Sequence, residues 1–507
     1  MKKARDLKRP PTGELLDLEL HESGERVERG FSRRVSVGLS WSLVNSVVSR
    51  CGQLAVGIVL ARLVAPADFG VFAAALLALT VVFNLSEMSG SLLVRARDDV
   101  AAIAPTVNTI AIVSSAALTA ICVVGASWFA SLMGAPEAAR VIWVLSISML
   151  LAGPTIVPCA LLTRAFRQDR RMAVDTIGFV ASTVVSVSLA VAGLGVWSLA
   201  WGRVVGHAVA SALVFRLTPA RYPLGFDRGR ARELLGFGLP LAGSNLLVFA
   251  VLNVDYVMVG SLLGPAELGF YLLAFNLASW PVTAFSAPVR SVALAGFSRR
   301  LEDEQRVRSD FVRALGLLMA VTLPLCVLLA VLGQPLVQLV YGARWAPAAT
   351  ALPFLAVLGA VRTAMELSYD FLVALGESRT LLWLQGLWLA ALVPALAAGA
   401  RLGGIGGVGA AHMAVALLVV VPAYLWVLLR QGVSIGGLAR NLARPVVASV
   451  LVAVTAASLR SLLHTDFVEL AIAGTAGLGV HALVVLPMRR ELHRFTLSEK
   501  EKTKTTC

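Results

Sequence analysis

Apolar runs of 18 or more residues, separated by short polar stretches, recur from residue 35 to residue 487. A run of that length is what a helix needs to cross the hydrocarbon of a bilayer. Fourteen can be drawn, at about 35–62, 69–94, 103–133, 141–163, 172–193, 195–215, 234–260, 267–289, 311–334, 348–375, 380–400, 403–429, 445–463 and 467–487. They are continuously apolar rather than alternating in segments of about 10 residues, which selects an α-helical bundle over a β-barrel. A chain that is 58% hydrophobic and only 15% charged cannot hide this surface in a water-soluble globule, so its solvent is lipid. The expected fold class is all-α: a polytopic membrane protein of about 14 transmembrane helices.

The formal net charge of +14 raises the question of a nucleic-acid partner, and the placement of the charges answers it. With both termini cytoplasmic, 36 of the 44 Lys and Arg fall in the tails or in loops on that side. Five (Arg62, Arg140, Arg344, Arg401, Arg460) fall outside, and three lie in mid-membrane. This is the positive-inside asymmetry, and it sets the expected orientation. The clusters Arg164, Arg167, Arg170, Arg171 and Arg216, Arg221, Arg228, Arg230, Arg232 then face anionic lipid. No soluble domain is left to display a basic face, so no nucleic acid is expected.

The tail of residues 1–34 has no apolar core ahead of a small-residue cleavage site, so it reads as a solvated cytoplasmic segment, not a secretory signal. Five scattered cysteines (Cys51, Cys122, Cys159, Cys326, Cys507) lack metal or redox spacing and read as small apolar residues. No metal and no cofactor is expected.

One stretch occurs twice. LVAPADFGVF at 63–72 returns 199 positions later as LLGPAELGFY at 262–271, with Leu63/Leu262, Pro66/Pro265, Ala67/Ala266 and Gly70/Gly269 identical. Both copies fall at a hairpin between consecutive spans, where the proline ends one helix or opens the next, Asp68 or Glu267 favours the first turn, and the glycine permits close packing. A weaker echo, GVWSLAWG at 195–202 against GGVGAAHM at 406–413, has an offset of 211. The repeat implies two pseudo-symmetric six-helix lobes of like orientation, related by an axis along the membrane normal, plus two extra C-terminal helices. The expected division is a tail at 1–34, an N-lobe at 35–217, a loop at 218–233, a C-lobe at 234–430, the last two helices at 440–488 and a tail at 489–507.

The stretches LARLVAPADFGVFAAALLALTVVFNLSEMSGSLLVR, FGLPLAGSNLLVFAVLNVDYVMVGSLLGPAELGFYLLAFNLASWPV and LVYGARWAPAA resemble the polysaccharide-transport branch of the multidrug/oligosaccharidyl-lipid/polysaccharide exporter superfamily, over most of residues 35–430. The resemblance implies a flippase, not an enzyme, for cell-surface polysaccharide biosynthesis. Such a protein carries a polyprenyl-pyrophosphate-linked oligosaccharide from the cytoplasmic to the outer leaflet of a bacterial plasma membrane. It further implies a cationic cavity between the lobes, alternating access, and polysaccharide assembly proteins as partners.

Arg50, Arg203 and Arg362 lie near the middles of spans 1, 6 and 10. Each costs about 2.5–3.5 kcal/mol at the bilayer centre, so none should face lipid. Three guanidiniums at one depth suit a pyrophosphate, whose oxygens match the planar fork of donors. The competing reading is local neutralisation: Glu366 is one turn beyond Arg362, and Glu87 of span 2 could meet Arg50. Asp255, with Asn253 two residues before it, is either an H⁺ or Na⁺ coupling site or a helix-to-helix hydrogen bond, the latter favoured. Glu366 and Asp370 share a polar stripe with Arg362, and His207 shares a shorter one with Arg203.

Three rivals follow. A multidrug antiporter would want an acidic, aromatic cavity for organic cations; a peptidoglycan lipid-precursor flippase would share the anionic cargo; a membrane polysaccharide polymerase or glycosyltransferase would need a sizeable loop, whereas no external loop is expected to exceed about ten residues.

Overall fold

The computed structural model describes residues 52–95, 100–165, 167–218, 223–299, 304–463 and 465–486. Helix is the only extended regular structure among them. The first half holds α1 (Gly52–Leu63), α2 (Pro66–Arg95), α3 (Val100–Leu132), α4 (Ala138–Ala152), α5 (Ile156–Arg164), α6 (Gln168–Val191) and α7 (Val196–Leu217). The second holds α8 (Arg228–Leu263), α9 (Pro265–Arg299), α10 (Glu304–Val331), α11 (Gly333–Tyr341), α12 (Leu352–Ala374), α13 (Ser378–Val415), α14 (Val421–Arg430), α15 (Ile435–Arg460) and α16 (Asp466–Val485).

Each of the fourteen apolar runs falls on helix, the first in its described part. Among the described residues, eight helical stretches are long and apolar enough to cross a membrane, nine if the bent pair Ala343–Thr350 and Leu352–Ala374 counts as one span. One of the eight, Arg379–Arg430, runs to 52 residues, more than one crossing requires. It is broken at Gly403 (φ −150°) and Gly404 (φ 55°, ψ −142°), so two antiparallel arms meet at this glycine pair. Across the turn the backbones nearly touch: a Cβ on Gly407 would overlap the Gly399 carbonyl. Large apolar side chains such as Val124, Trp128, Leu418 and Leu483 are exposed around the bundle, as lipid requires.

The two copies of the repeated stretch pack on each other. A Cβ on Gly70 would overlap the Pro265 carbonyl oxygen, and a Cβ on Gly269 would overlap that of Pro66. The contact is reciprocal, as a two-fold demands, and it brings the N-terminal turns of α2 and α9 to backbone contact. The second echo is real but its register differs from the sequence reading. Gly195 (φ 53°, ψ −127°) and Gly404 adopt the same left-handed turn ahead of α7 and of the second arm of α13, 209 positions apart rather than 211. Composition had aligned the small residues. Backbone geometry aligns the turns, and thereby makes Arg203 and His412 equivalent positions of the repeat.

Another departure is the connection from α10 to α12. Instead of a loop of about ten residues it holds α11 and a 3₁₀ segment, Ala343–Thr350, seated on the bundle through wholly buried Trp345. The last two helices lean on the C-lobe at α10: His481 Nε2 bonds to the Ala320 carbonyl at 2.8 Å, while Arg460 pairs with Glu469 at 3.1 Å and donates to the Val331 carbonyl at 2.9 Å.

Candidate functional site

Four C-lobe helices converge on Asp255. α8 carries the aspartate, α9 brings Tyr271 and Phe275, α12 brings Arg362 and Glu366, and the second arm of α13 brings His412. Asp255 and Tyr271 are wholly buried. The carboxylate accepts the Tyr271 hydroxyl (3.0 Å) and the Tyr256 amide N–H (2.9 Å), and faces His412 Nδ1 at 3.7 Å. That separation exceeds a hydrogen bond, and among the described residues Nδ1 has no other partner. Around the carboxylate, Tyr256 sits edge-on to Tyr271 and to Phe275, with centroids 5.9 and 5.4 Å apart.

Arg362 lies at the rim of this cluster, beside Phe275. Its guanidinium is 5.4 Å from the Phe275 ring centroid and reaches Glu366 at 4.0 Å, the i,i+4 contact its spacing predicts. That distance is a loose ion pair. No hydrogen bond from Arg362 is made among the described residues, and its side chain keeps 20% exposure. A guanidinium has five N–H donors, so this one retains the capacity to grip an oxyanion. Asp370 is half-buried two turns beyond Arg362 on the same helix.

The N-lobe has a simpler arrangement. Close approach at Gly178, Gly202 and Gly206 joins α6 to α7, with Ser182 and Ser186 filling the gaps. Arg203 and His207 stand one turn apart on α7, both half-buried. Among the described residues Arg203 makes no hydrogen bond and no ion pair, whereas Arg362 has only its loose contact with Glu366.

Of the expected site residues, Asp255, Arg362 and Glu366 are thus brought together, while Arg203 and His207 form a separate pair in the other lobe. Asn253 does not join the cluster, because its amide donates to the Phe249 carbonyl (2.8 Å) one turn back on its own helix. Arg50, and the side chain of Glu87, lie outside the described residues. Sequence reasoning passed over Tyr271, Tyr256 and His412. Tyr271 could have been found, since the repeated stretch ends on it four residues after Glu267; His412 was quoted in the echo and hidden by the two-residue error in register.

Comparisons with known proteins bear on this geometry. The family described as polysaccharide biosynthesis proteins matches residues 59–350. The succinoglycan biosynthesis transport protein ExoT of Rhizobium meliloti (strain 1021) is 26% identical over 484 residues, covering 91% of this chain and 95% of that protein. The lipopolysaccharide biosynthesis protein WzxC of Escherichia coli (strain K12) is 23% identical over 335 residues, 64% of this chain and 67% of that protein. Among solved structures, the lipid II flippase MurJ in an inward closed conformation superposes with a TM-score of 0.72 at 14% identity, covering 89% of this chain and 99% of that one. At that identity the likeness speaks for the fold.

Proposed function

Because the chain belongs to the polysaccharide biosynthesis protein family, we propose that it is a flippase moving a polyprenyl-pyrophosphate-linked oligosaccharide from the cytoplasmic to the outer leaflet of a bacterial plasma membrane, with both termini cytoplasmic. The relatives whose names refer to succinoglycan and lipopolysaccharide biosynthesis support export of a cell-surface glycan, with polysaccharide assembly proteins as partners. One observation carries the choice of cargo. Arg203 and Arg362, one in each lobe and each about midway along a membrane-spanning helix, keep guanidiniums without a hydrogen-bonded acceptor among the described residues. A half-buried guanidinium in mid-membrane with donors to spare calls for an anion, and a pyrophosphate supplies it. The same feature disfavours a multidrug antiporter: the aromatic wall of Tyr256, Tyr271 and Phe275 would suit an organic cation, but Arg362 already stands over Phe275.

The energetics follow from the charge. A pyrophosphate diester carries about two negative charges, and under a cytoplasm-negative potential each is worth about 2.3 kcal/mol per 100 mV on moving outward. Two charges gain about 4.6 kcal/mol at 100 mV. If the arginines neutralise the cargo and travel with the lobes, the same work appears on the empty return as positive charge is drawn inward. Voltage therefore suffices to drive export, and H⁺ or Na⁺ coupling, where present, would act through the Asp255–His412 pair. Glu366 and Asp370 line the path beside Arg362, and Arg50 with Glu87 would extend it on the N-lobe.

The test is flipping of a labelled lipid-pyrophosphate oligosaccharide by the full chain in liposomes. A charge-assisted hydrogen bond contributes about 1.5–3 kcal/mol, so Arg362→Ala and Arg203→Ala are each expected to slow flipping at least about tenfold. Arg362→Lys should recover only part, since an ammonium lacks the fork. Arg50→Ala should stop export in cells while insertion persists, with Arg50→Lys a partial rescue. Wild-type flipping in both Arg362→Ala and Arg203→Ala would remove the anionic-cargo reading.

A further inference from the structure

Two sequence stretches far apart in the chain, LARLVAPADFG at 60–70 and LVYGARWAPAA at 339–349, meet at one end of the bundle. Arg62 closes α1 and donates through Nε and Nη2 to the carbonyls of Val340 (2.8 Å) and Leu339 (2.6 Å), in the last turn of α11. In return Arg344 Nη2 and Trp345 Nε1 both donate to the Ala61 carbonyl, in the last turn of α1, at 2.7 Å. The last carbonyls of a helix lack intrahelical partners and carry the negative end of its dipole, so a cation is favoured there. Here each lobe caps a helix end of the other.

We infer that these four bonds are the outer latch of the transporter, holding the lobes shut on the side that the arginine asymmetry assigns to the outside, and that opening toward that side requires them to break. Trp345 makes the closure a wedge as well as a clasp. Its ring is fully buried and meets Phe69 of α2 and Phe270 of α9 edge-on, with centroids 5.4 and 5.9 Å apart. Those phenylalanines flank Gly70 and Gly269, where α2 and α9 cross, so parting the lobes there strips Trp345 of at least one ring. The glycine crossing gives contact without direction. The latch adds bonds that fit one arrangement only.

The inference rests on the alternating-access reading, and its test does not need cargo. Spin labels at Leu63→Cys and Leu339→Cys, both exposed in the wild type, would be placed in full-length protein lacking native cysteines and reconstituted in nanodiscs. The intact latch should give one short, narrow distance distribution. Arg62→Ala with Arg344→Ala should add a population about 10 Å longer, roughly a helix diameter, and raise the open-to-closed ratio at least tenfold. Arg62→Lys should fall between, having lost the fork that spans two carbonyls. An unchanged distribution in the folded double variant overturns the latch. Should that variant fail to fold, Trp345→Phe keeps an aromatic ring at the wedge while removing the indole donor and part of its bulk; it must shift the distribution in the same direction, and no shift in it or in Arg62→Lys overturns the latch equally. Opening of these variants without any glycan flipping by the wild type would instead count against the flippase reading and leave the latch standing.

Discussion

Gly70→Ala is expected to remove most of the folded protein, although it adds one methyl group. The new Cβ would fall inside the Pro265 carbonyl, and the clash is with backbone, so no change of rotamer relieves it. α2 and α9 must move apart at the point where the lobes touch. Overpacking costs about 1–3 kcal/mol in cores that can adjust side chains, and this site belongs at the upper end or beyond. Gly269→Ala should behave alike, because its Cβ would overlap the Pro66 carbonyl. The double variant should be little worse than either single one: once the helices have separated, the second methyl enters a gap already opened. Gly57→Ala is the control. Its Cβ would meet nothing within 4 Å, and alanine is the better helix former by about 0.5–1 kcal/mol. The yield of monodisperse protein after extraction and its melting in size-exclusion chromatography decide the matter; a Gly70→Ala protein with wild-type yield and melting would refute the close crossing.

That crossing also shows what sequence could and could not disclose. The repeat at 63–72 and 262–271 was legible because the same packing problem was solved twice with the same residues, and hydropathy alone marked the spans because lipid accepts little else. Arg362 was legible as a charge out of place, and its i,i+4 relation to Glu366 follows from helix geometry. The acceptors of Arg62, Arg344 and Trp345 were not legible, for a physical reason. They are main-chain carbonyls, which every residue has, so no complementary acid appears in the sequence to betray them. The same limit explains the folded connection between α10 and α12, whose 3₁₀ segment is held by Trp345 rather than by any local periodicity. His412 was missed because the relation of Arg203 to His412 depends on matching two glycine turns, a property of backbone angles and not of side-chain similarity.

Removing the carboxylate at the centre of the C-lobe should be the other severe change. In Asp255→Ala the Tyr271 hydroxyl and the Tyr256 amide lose their acceptor. Leaving a buried donor without its acceptor costs about 1–3 kcal/mol, and here two are left, the Tyr271 hydroxyl and the Tyr256 N–H. The Asp255→Ala protein should therefore be depleted from the membrane and melt well below wild type. Asp255→Asn separates two roles. Its amide oxygen in the place of Oδ1 can still accept the Tyr256 N–H, and its NH₂ in the place of Oδ2 can donate to the Tyr271 hydroxyl oxygen or toward His412 Nδ1, so α8, α9 and the second arm of α13 stay joined. We expect this variant to fold and to export glycan at more than half the wild-type rate, because the fully enclosed carboxylate acts first as the junction of α8, α9 and the second arm of α13. Folded Asp255→Asn that no longer exports, or whose export no longer responds to an imposed H⁺ or Na⁺ gradient when the wild type does, would make the carboxylate a carrier of the driving ion; a phenylalanine at 271, which lacks the hydroxyl, would then leave that response intact while lowering stability by about 1 kcal/mol.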